Sequence, residues 1–477
     1  MIVVGGGIYG ACTLLEASRR GLRALLIERD DFGGATSWNS LRIVHGGLRY
    51  LQHADLGRFR RSVAEQAWWL HNFPDLVEPL SCLMPLYNLG LKRTDVMRAA
   101  LWANDILAAP VRASVHDRRS AFEAAGLASG RVIGPAEVTS RFPFVQQQSL
   151  RGAAIWTDAI MRNPQRLLIE ILRWAVSAGG QALNYMKCDG FQSHQGRVAG
   201  VTTTCQLTNQ RYEFRATRVI NCAGPWAEEL TAKDNNVTPK TSHRRFARAF
   251  NLILDHPPLS QDALAVTPPD AKDFTLFAVP YGKRFMLGTM HLPPGDSLEP
   301  TEEEIAHLLG GFNKATSGPD LTLQHVSQVL AGRLPPTAEG SHVPSKSPRM
   351  RPHSPESGLQ GVVTVEGVKY TTARHVAVQA LKHSLGNRLP SYKTCTRPAP
   401  SVLPSLSDPL QPDQLRQWVQ SESVQFVDDL LLRRCDETLC GEVEFTEIKT
   451  QLSRLLALPY HSTLPTAHSQ ITSTEEI

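Results

Sequence analysis

Long apolar runs, paired cysteines and blocks of basic residues are all missing from this 477-residue sequence. No apolar run reaches the roughly 20 residues that a membrane-spanning helix requires, so an integral membrane protein is not expected. The eight cysteines form no CxxC pair and no cluster with histidine, which predicts no metal site and favours a reducing compartment. Because no arginine- or lysine-rich block stands out, nucleic acid is not predicted as a partner.

The overall composition is that of an ordinary globular protein, with 42% hydrophobic and 20% charged residues. The length exceeds one typical core and predicts two or three domains. A net charge of +5 suits an anionic substrate, an anionic cofactor or a membrane surface without selecting one of them. Because the first apolar strand already begins at Ile2, we expect no signal peptide and a cytoplasmic location, with peripheral attachment to the cytoplasmic membrane as an alternative.

The first 51 residues contain a pattern typical of dinucleotide binding. A short apolar strand runs directly into Gly5-x-Gly7-x-x-Gly10, which opens a helix, and a second strand ends at Glu28. In this setting the glycines allow a tight turn, close approach of a pyrophosphate, and close packing of helix on strand. The pyrophosphate is expected at the helix N-terminus and the ribose hydroxyls at the acidic residue. The dinucleotide-binding residues predicted here are Gly5, Gly7, Ile8, Tyr9, Gly10, Glu28 and Arg29.

The segment 33–40, GGATSWNS, is rich in glycine and hydroxyl groups. FAD is buried along its whole length and needs polar partners for its phosphate and ribityl oxygens, whereas an NAD dehydrogenase has no general need for such a loop. The longer stretch GGATSWNSLRIVHGGLRYL resembles the FAD-dependent glycerol-3-phosphate dehydrogenases of the D-amino-acid-oxidase-like superfamily. The resemblance implies FAD as the cofactor, with His45 packed beneath the flavin rather than acting as a base. Contacts to FAD are expected from Thr36, Ser37, Asn39, Ser40, Leu41, His45, Gly46, Gly47 and Leu48.

Two later segments also match the family. NCAGPW, residues 221–226, places a strand, an Ala-Gly turn and a new helix in succession and is similar to the family's A/T-G-P-W motif. VEGVKYTTAR, residues 365–374, is similar to the family's GGKLTTYR segment. The resemblance implies further cofactor contacts at Cys188, Ala223, Gly224, Trp226, Gly332, Val368, Lys369, Tyr370 and Thr371.

Oxidation of an alcohol by a flavin needs a C–H bond near N5, a partner for the hydroxyl, and positive charge near N1 and O2. The resemblance implies that Lys369 lies beside N5. It also implies that Arg49, which follows HGGL, holds the anionic end of the substrate, where a guanidinium offers two donors in one plane. Tyr50 matches the family as well, and Arg374 is expected to be structural.

Two substrate-side motifs depart from the family pattern. The family's G-V-R-P is here Gly332-Arg333-Leu334-Pro335, which puts leucine in place of arginine and displaces Arg333 by one residue. In a strand, such a shift turns the side chain to the opposite face. The histidine of the family's K-G-S-H is replaced by Asn251, which cannot act as a base. The candidate catalytic residues are therefore Arg49, Tyr50, Asn251, Arg333 and Lys369, and the substrate is left open.

We predict an α/β chain, α+β overall, with a composite Rossmann-like FAD-binding domain, an antiparallel-sheet substrate domain and a small C-terminal helical domain. The expected boundaries are 1–80, 150–235 and 330–395 for the first, 81–149 and 236–329 for the second, 396–460 for the third, and 461–477 for a disordered tail. Residues 91–108 have a basic amphipathic pattern that fits either a core helix of the second domain or a peripheral membrane patch.

These patterns predict an FAD oxidoreductase that takes a hydride from a small anionic alcohol to flavin N5 and passes electrons to a quinone or oxygen. The nearest activity is that of an sn-glycerol-3-phosphate dehydrogenase. An oxidase or dehydrogenase of another hydroxy acid or an amine is an alternative, favoured by Leu334 and Asn251. A catalytically silent flavoprotein is a second alternative.

Overall fold

The computed structural model describes most of the 477 residues. The residues outside the description are 52–53, 88–89, 116–126, 233–245, 271–273, 339, 394, 402–405, 407–411, 436, 442–444, 457 and 459–477. The tail predicted at 461–477 therefore lies outside the described residues.

Strands and helices are interspersed up to residue 177, and consecutive strands then follow one another in residues 181–221, 247–292 and 326–366. The strands are β1 (Ile2–Val4), β2 (Leu25–Ile27), β3 (Ile43–Val44), β4 (Val77–Leu86), β5 (Arg131–Ile133), β6 (Gly152–Met161), β7 (Gln181–Leu183), β8 (Met186–His194), β9 (Arg197–Cys205), β10 (Arg211–Arg215), β11 (Val219–Asn221), β12 (Ala247–Leu254), β13 (Ala263–Val266), β14 (Leu276–Tyr281), β15 (Arg284–Leu292), β16 (Val326–Leu334), β17 (Arg349–Pro352) and β18 (Val362–Glu366). The helices are α1 (Ile8–Ser18), α2 (Leu48–Leu51), α3 (Leu56–Asn72), α4 (Thr94–Val115), α5 (Pro135–Arg141), α6 (Pro164–Ser177), α7 (Ala227–Ala232), α8 (Glu302–Ala315), α9 (Ala373–Leu385), α10 (Pro412–Ser421), α11 (Val427–Arg433) and α12 (Phe445–Leu456).

The first sheet is built from distant parts of the chain, in the order β17-β18-β11-β1-β2-β7. The strands from β18 to β7 are parallel, and β17 is an antiparallel edge strand. Parallel sheets need cover on both faces, and α1 packs against α6 and α9 in the core beside it. Because the inner strands are parallel, the carboxyl ends of β1, β2, β11 and β18 meet along one edge, which is where ligands bind in such sheets.

A second, larger sheet has the order β16-β12-β15-β14-β13-β4-β6-β3, with β5 beside β6. Most of its neighbours are antiparallel, and β4 with β13 is a parallel pair. The strands β8, β9 and β10 form a separate antiparallel sheet. The predicted fold class, a mixed α/β chain with a Rossmann-like sheet and an antiparallel sheet, is confirmed.

Sheet membership differs from the predicted boundaries at several places, among them β3 and the first residues of β4, which fall within 1–80 but pair with β6 in the larger sheet. β6 falls in the range predicted for the FAD-binding domain but pairs with β4 and β3. Most of β16 lies before residue 330, and its remaining residues, also assigned to that domain, pair with β12. β6 contains apolar residues at most of its positions, and such a strand fits a buried place in either sheet, so its local pattern does not select the partner. The division into domains stays a prediction.

The helices α10, α11 and α12 enclose a small core of their own near the C-terminus. Residues 438–440 extend from these helices to the larger sheet, where Arg284 donates to the carbonyl oxygens of Thr438 and Leu439 at 3.4 and 3.2 Å. Among the helices of the described residues, none combines the length and apolar character needed to cross a lipid bilayer.

Candidate functional site

The turn between β1 and α1 brings the backbone very close to neighbouring elements. Gly5 has a φ of +99°, and a Cβ atom on it would lie 2.6 Å from the carbonyl oxygen of Cys222. A Cβ atom on Gly10 would lie 1.8 Å from the carbonyl oxygen of Gly5, so α1 packs directly on the turn. At the start of α1, the Ile8 amide donates to Ser37 Oγ at 3.0 Å. The helix N-terminus, with its dipole, and the Ser37 hydroxyl therefore lie together where the sequence predicts a phosphate group.

Glu28 follows β2 at the same edge of the sheet. Its carboxyl group accepts hydrogen bonds from the amides of Gly6 at 2.5 Å and Asp30 at 3.0 Å. Burial raises the pKa of Glu28 to about 7, although these two hydrogen bonds act in the opposite direction. The adjacent Arg29 guanidinium lies 4.1 Å from the ring centre of Trp226. A partly buried carboxyl acceptor and a cation over an aromatic ring thus lie where the sequence predicts the nucleoside half of a dinucleotide.

One continuous cavity runs along this edge and reaches the larger sheet. Of the residues predicted to contact FAD, it is lined by Gly5, Gly7, Ile8, Tyr9, Glu28, Arg29, Thr36, Ser37, Asn39, Ser40, Leu41, Cys188, Ala223, Gly224, Trp226, Gly332, Val368, Lys369 and Tyr370. Gly10, His45, Gly46, Gly47, Leu48 and Thr371 lie outside its lining. Phe246, Ala249 and Thr289 line it but carry no sequence signal beyond strand alternation, which does not say which face meets a ligand.

The Tyr9 hydroxyl organises the turn after β18. It accepts from the amides of Val368 and Lys369 at 2.9 and 2.8 Å and donates to the carbonyl oxygen of Lys369 at 2.8 Å. A Cβ atom on Gly367 would lie 1.8 Å from the Tyr9 ring, so only glycine allows this approach. Burial raises the pKa of Tyr9, which keeps the phenol protonated. Tyr9 was predicted as a cofactor contact, and this second role follows only from the packing.

Lys369 and Tyr50 meet beside the cavity. The Lys369 ammonium donates a hydrogen bond to the Tyr50 hydroxyl and lies 4.7 Å from the ring centre. The next residues hold the turn in place, because the Thr371 carbonyl accepts from Trp69 Nε1 at 2.9 Å and its hydroxyl accepts from the His45 amide at 3.3 Å. The structure therefore brings together two of the predicted catalytic residues that are far apart in sequence.

His45 is half-exposed and is held by a buried carboxylate. Its Nδ1 atom lies 3.5 Å from Asp158 Oδ2, and its side chain is 48% exposed against 6% for that of Asp158. Asp158 also accepts from the Gly46 amide at 2.6 Å and from Trp156 Nε1 at 3.0 Å. Burial acts to raise the pKa of Asp158, but the hydrogen bond and charge of His45, followed by the hydrogen bonds from Gly46 and Trp156, outweigh it and lower the pKa. Asp158 therefore stays ionised and orients His45. The sequence analysis did not single out Asp158.

Arg49 is exposed on α2, next to Tyr50. The positive charge of Arg49 helps to lower the pKa of His291 on β15, a residue that the sequence analysis did not single out. Burial, together with His342 and Arg49, lowers the pKa of His291 to about 4, so its imidazole is neutral near pH 7. His291 pairs with Ala249, and directly opposed residues share a face, so His291 points to the cavity side of the sheet.

Asn251 replaces the family histidine and has its own partners. Its Nδ2 donates to the carbonyl oxygen of Asn39 at 2.9 Å, and its Oδ1 accepts from Thr289 Oγ1 at 2.6 Å. The side chain is only 3% exposed and lines the cavity. Asn251 therefore fastens the loop 33–40 to the larger sheet, and an amide cannot take a proton from a substrate.

The side chain of Arg333 is directed to the other face of β16. Its guanidinium donates to the carbonyl oxygens of Gly295 and Asp296, both at 3.0 Å. Arg333 pairs with Arg248, which forms an ion pair with Glu304 at 2.8 Å on that same outer face. Arg333 lines the cavity together with Gly332 and Leu334, but its guanidinium is engaged with these backbone carbonyls, as strand alternation leads us to expect. A role for Arg333 toward the substrate stays a prediction.

The residues along the cavity fit FAD. A Cβ atom on Gly7 would lie 2.9 Å from Ser37 Oγ, and one on Gly332 would lie 2.9 Å from the Thr36 side chain, so glycine keeps this part of the cradle open. Helix amides, the hydroxyl-rich loop 33–40 and a partly buried carboxyl group supply donors and acceptors along its length. These are the partners that the phosphates, ribityl chain and ribose of FAD require.

Comparison with known proteins gives a consistent result. The model of the family "DAO: FAD dependent oxidoreductase" matches residues 1–374. A glycerol-3-phosphate dehydrogenase of Synechocystis sp. is 27% identical over 419 residues, which cover 84% of this chain and 73% of the relative. An aerobic glycerol-3-phosphate dehydrogenase of Staphylococcus haemolyticus is 28% identical over 385 residues, which cover 80% of this chain and 65% of the relative. The chain thus spans about two thirds of the length of the second relative.

Solved structures share the fold. A glycerol-3-phosphate dehydrogenase from Bacillus halodurans complexed with FAD has a TM-score of 0.60 at 23% identity, with 83% of this chain and 66% of that one covered. An L-α-glycerophosphate oxidase from Mycoplasma pneumoniae with FAD bound has a TM-score of 0.57 at 15% identity, with coverage of 83% and 96%. An L-proline dehydrogenase from P. horikoshii has a TM-score of 0.55 at 15% identity, with coverage of 82% and 93%.

Proposed function

The chain belongs to the family of FAD-dependent oxidoreductases, and from this premise we propose that it oxidises a small anionic alcohol of the sn-glycerol 3-phosphate type. The observation that carries the proposal is the meeting of Lys369 with Tyr50 beside the cavity, with Arg49 on the same short helix as Tyr50. The names of the curated relatives support the substrate class.

When bound, FAD supplies the hydride acceptor. The chain's own residues hold and orient it. The amides at the start of α1 and the Ser37 hydroxyl receive the pyrophosphate, and the Glu28 carboxylate accepts from the ribose hydroxyls. Thr36, whose hydroxyl exchanges hydrogen bonds of 3.3 Å with the backbone of Arg333, ties the same loop to β16.

On the substrate side, the three polar residues have separate roles. The Arg49 guanidinium binds the phosphate group, since its planar donors match two phosphate oxygens. The Lys369 ammonium donates a hydrogen bond to the oxygen of the substrate hydroxyl, and it also orients the Tyr50 phenol. His291 is neutral, so on the cavity face of β15 it offers the substrate a hydrogen-bond acceptor. It adds no positive charge that would compete with Arg49 for the anion.

A second candidate is the oxidation of another hydroxy acid or of an amine. It is favoured by the side chains of Asn251 and Arg333, which are engaged with other partners and offer the substrate neither a base nor a guanidinium. In this case Arg49 binds a carboxylate in place of a phosphate.

We further propose that this protein is cytoplasmic and touches the membrane peripherally. Its electron acceptor would be a quinone or oxygen. The support is an exposed apolar stripe on α4, in which Trp102 is 70% and Ile106 50% exposed. Arg98 lies one turn before Trp102 and is also exposed, as expected for a helix that lies on an anionic lipid surface.

The test is the visible absorption spectrum of the purified protein before and after anaerobic addition of sn-glycerol 3-phosphate. We expect bleaching of the flavin band with this compound and no bleaching with glycerol, which lacks the phosphate. Lys369→Met should slow the bleaching, and Lys382→Met, on the exposed side of α9, is the matched control.

Each other outcome has a defined meaning. Absence of a flavin spectrum after reconstitution with FAD would overturn the proposal entirely. A flavin that bleaches only with other hydroxy acids or amines selects the second candidate. A flavin that no small alcohol or amine reduces identifies a catalytically silent flavoprotein.

A further inference from the structure

We propose that the C-terminal helices hold the cofactor loop closed over FAD, with Arg434 as the positioning residue. The cofactor loop is residues 31–40, which follow Glu28 and line much of the cavity. The loop consists of turns and bends, without helix or strand, so it depends on contacts from outside to keep its shape. The inference rests on FAD binding, the cofactor half of the proposed function.

The central contact is a buried ion pair between Arg434 and Asp31. The two guanidinium nitrogens of Arg434 donate to the two carboxylate oxygens of Asp31, one of them at 3.0 Å. The side chains are 0% and 5% exposed. Asn184 strengthens the same junction, because its amide donates to Asp31 at 2.9 Å and to the carbonyl oxygen of Ser423 at 2.8 Å. The start of the cofactor loop is therefore attached to the C-terminal helices on two sides.

A second ion pair anchors those helices to the body of the protein. Glu422 accepts from both terminal nitrogens of Arg166 on α6, at 2.7 and 2.8 Å, and its own backbone carbonyl accepts from Arg434 at 2.8 Å. Tyr185 adds a hydrogen bond of 2.6 Å to Asp429 of α11. The C-terminal helices thus cannot shift without breaking buried polar contacts, which makes them a rigid support for Asp31.

The middle of the cofactor loop is held by the neighbouring arginine. The Arg433 guanidinium lies 4.4 Å from the ring centre of Trp38, a residue that is only 8% exposed. Asp31 and Trp38 thus lie on either side of the glycine and hydroxyl residues 33–37 in the sequence. Arg434 contacts Asp31 and Arg433 contacts Trp38, and these two arginines are consecutive at the end of α11.

The opposite side of the loop faces the cofactor turn. The Gly33 amide donates to the carbonyl oxygen of Gly6 at 3.1 Å, and Ser37 accepts from the Ile8 amide. The loop is thus suspended between the phosphate-binding turn and the C-terminal helices. Without the contact to the C-terminal helices, the loop can move and its hydroxyl groups no longer stay in position for the pyrophosphate. FAD should therefore dissociate faster, although no residue that touches it has changed.

The test compares Arg434→Met with Lys449→Met. Lys449 forms a partly buried ion pair of 2.8 Å with Asp428 within the same helices but away from the loop, and so it controls for general destabilisation. The Kd for FAD is measured by flavin fluorescence on the apo-protein, together with its thermal midpoint and hydrogen exchange in residues 31–40. For Arg434→Met we expect a Kd at least about tenfold higher and faster exchange in the loop, and for Lys449→Met an unchanged Kd.

A second variant covers the case in which the buried Asp31 charge prevents folding. Asp31→Asn combined with Arg434→Met removes both charges, and we expect this protein to fold and still to lose FAD affinity. An unchanged Kd in whichever of these variants folds, or an equal loss in Lys449→Met, contradicts the inference. If the unaltered protein binds no FAD, the proposed function fails first, so the two failures are distinguishable.

Discussion

At the scale of single residues, Glu28 makes FAD binding depend on pH. The pKa of its carboxyl group is raised by burial to about 7, so below that pH the free protein holds a proton there. Ribose hydroxyls donate to the ionised form, and the proton must leave before they can bind. We therefore expect the Kd for FAD to rise about tenfold from pH 8 to pH 6, as one proton is lost on binding.

Glu28→Gln is the matched variant for this measurement. Its amide does not titrate, so the Kd should be higher than that of the unaltered protein at pH 8 and nearly independent of pH. Titration of the apo-protein with FAD at each pH gives both curves. A pH dependence that persists in Glu28→Gln would assign it to another group.

Arg49 is the residue that should distinguish a phosphate substrate from its neutral analogue. Arg49→Leu is expected to lower kcat/KM for sn-glycerol 3-phosphate about 10- to 100-fold, since hydrogen bonds to a charged group contribute about 1.5–3 kcal/mol. FAD binding should not change, because Arg49 lies outside the cavity lining.

Arg60→Leu controls for loss of positive charge, because Arg60 is an exposed arginine on α3 near Arg49 in sequence. Steady-state kinetics of both variants with sn-glycerol 3-phosphate distinguish a direct contact of Arg49 from an effect of net charge. Equal losses in the two would show that net charge, and not a direct contact, attracts the substrate.

At the scale of elements, Tyr9 joins α1 to the turn after β18. Tyr9→Phe removes one hydroxyl that two backbone amides and one carbonyl share, and it leaves buried polar groups without that partner. We expect the free energy of unfolding to fall by about 1–3 kcal/mol. Urea unfolding of the apo-protein measures it, and Tyr212→Phe, on exposed β10, should cause no comparable loss. A stability equal to that of the unaltered protein would show that water replaces the hydroxyl.

The elements also show what a sequence can and cannot predict. The strand–turn–helix around Gly5 and Gly10 follows from local pattern, and so does the outward turn of Arg333, which strand alternation predicts. The pairing partners of β6 cannot be predicted from local pattern, because its apolar run fits either sheet. The contact of Asp158 with His45 depends on the pairing of β3 with β6, and the ion pair of Arg434 with Asp31 joins opposite ends of the chain. Such contacts arise from packing and leave no periodic signal.

At the scale of the whole molecule, the exposed stripe on α4 predicts contact with membranes. Trp102→Ser combined with Ile106→Ser should reduce co-sedimentation with anionic phospholipid vesicles several-fold, since roughly 1.5–3 kcal/mol accompanies burial of each large apolar side chain. Leu207→Ser combined with Tyr212→Ser removes exposed apolar residues elsewhere and should have no effect. Equal binding by all three proteins would remove the support for peripheral attachment.

The order of strands in the parallel sheet has a consequence for biosynthesis. β1 pairs on one side with β2 and on the other with β11, where Ile2 lies opposite Val219. β11 in turn pairs with β18, which is later still in the sequence. Contacts between such distant segments form slowly, since the intervening chain must first be closed into a loop. On a ribosome the N-terminal glycine turn therefore emerges long before its sheet can be completed. FAD should be captured only after β18 has left the exit tunnel, and nascent chains arrested before that point should remain colourless.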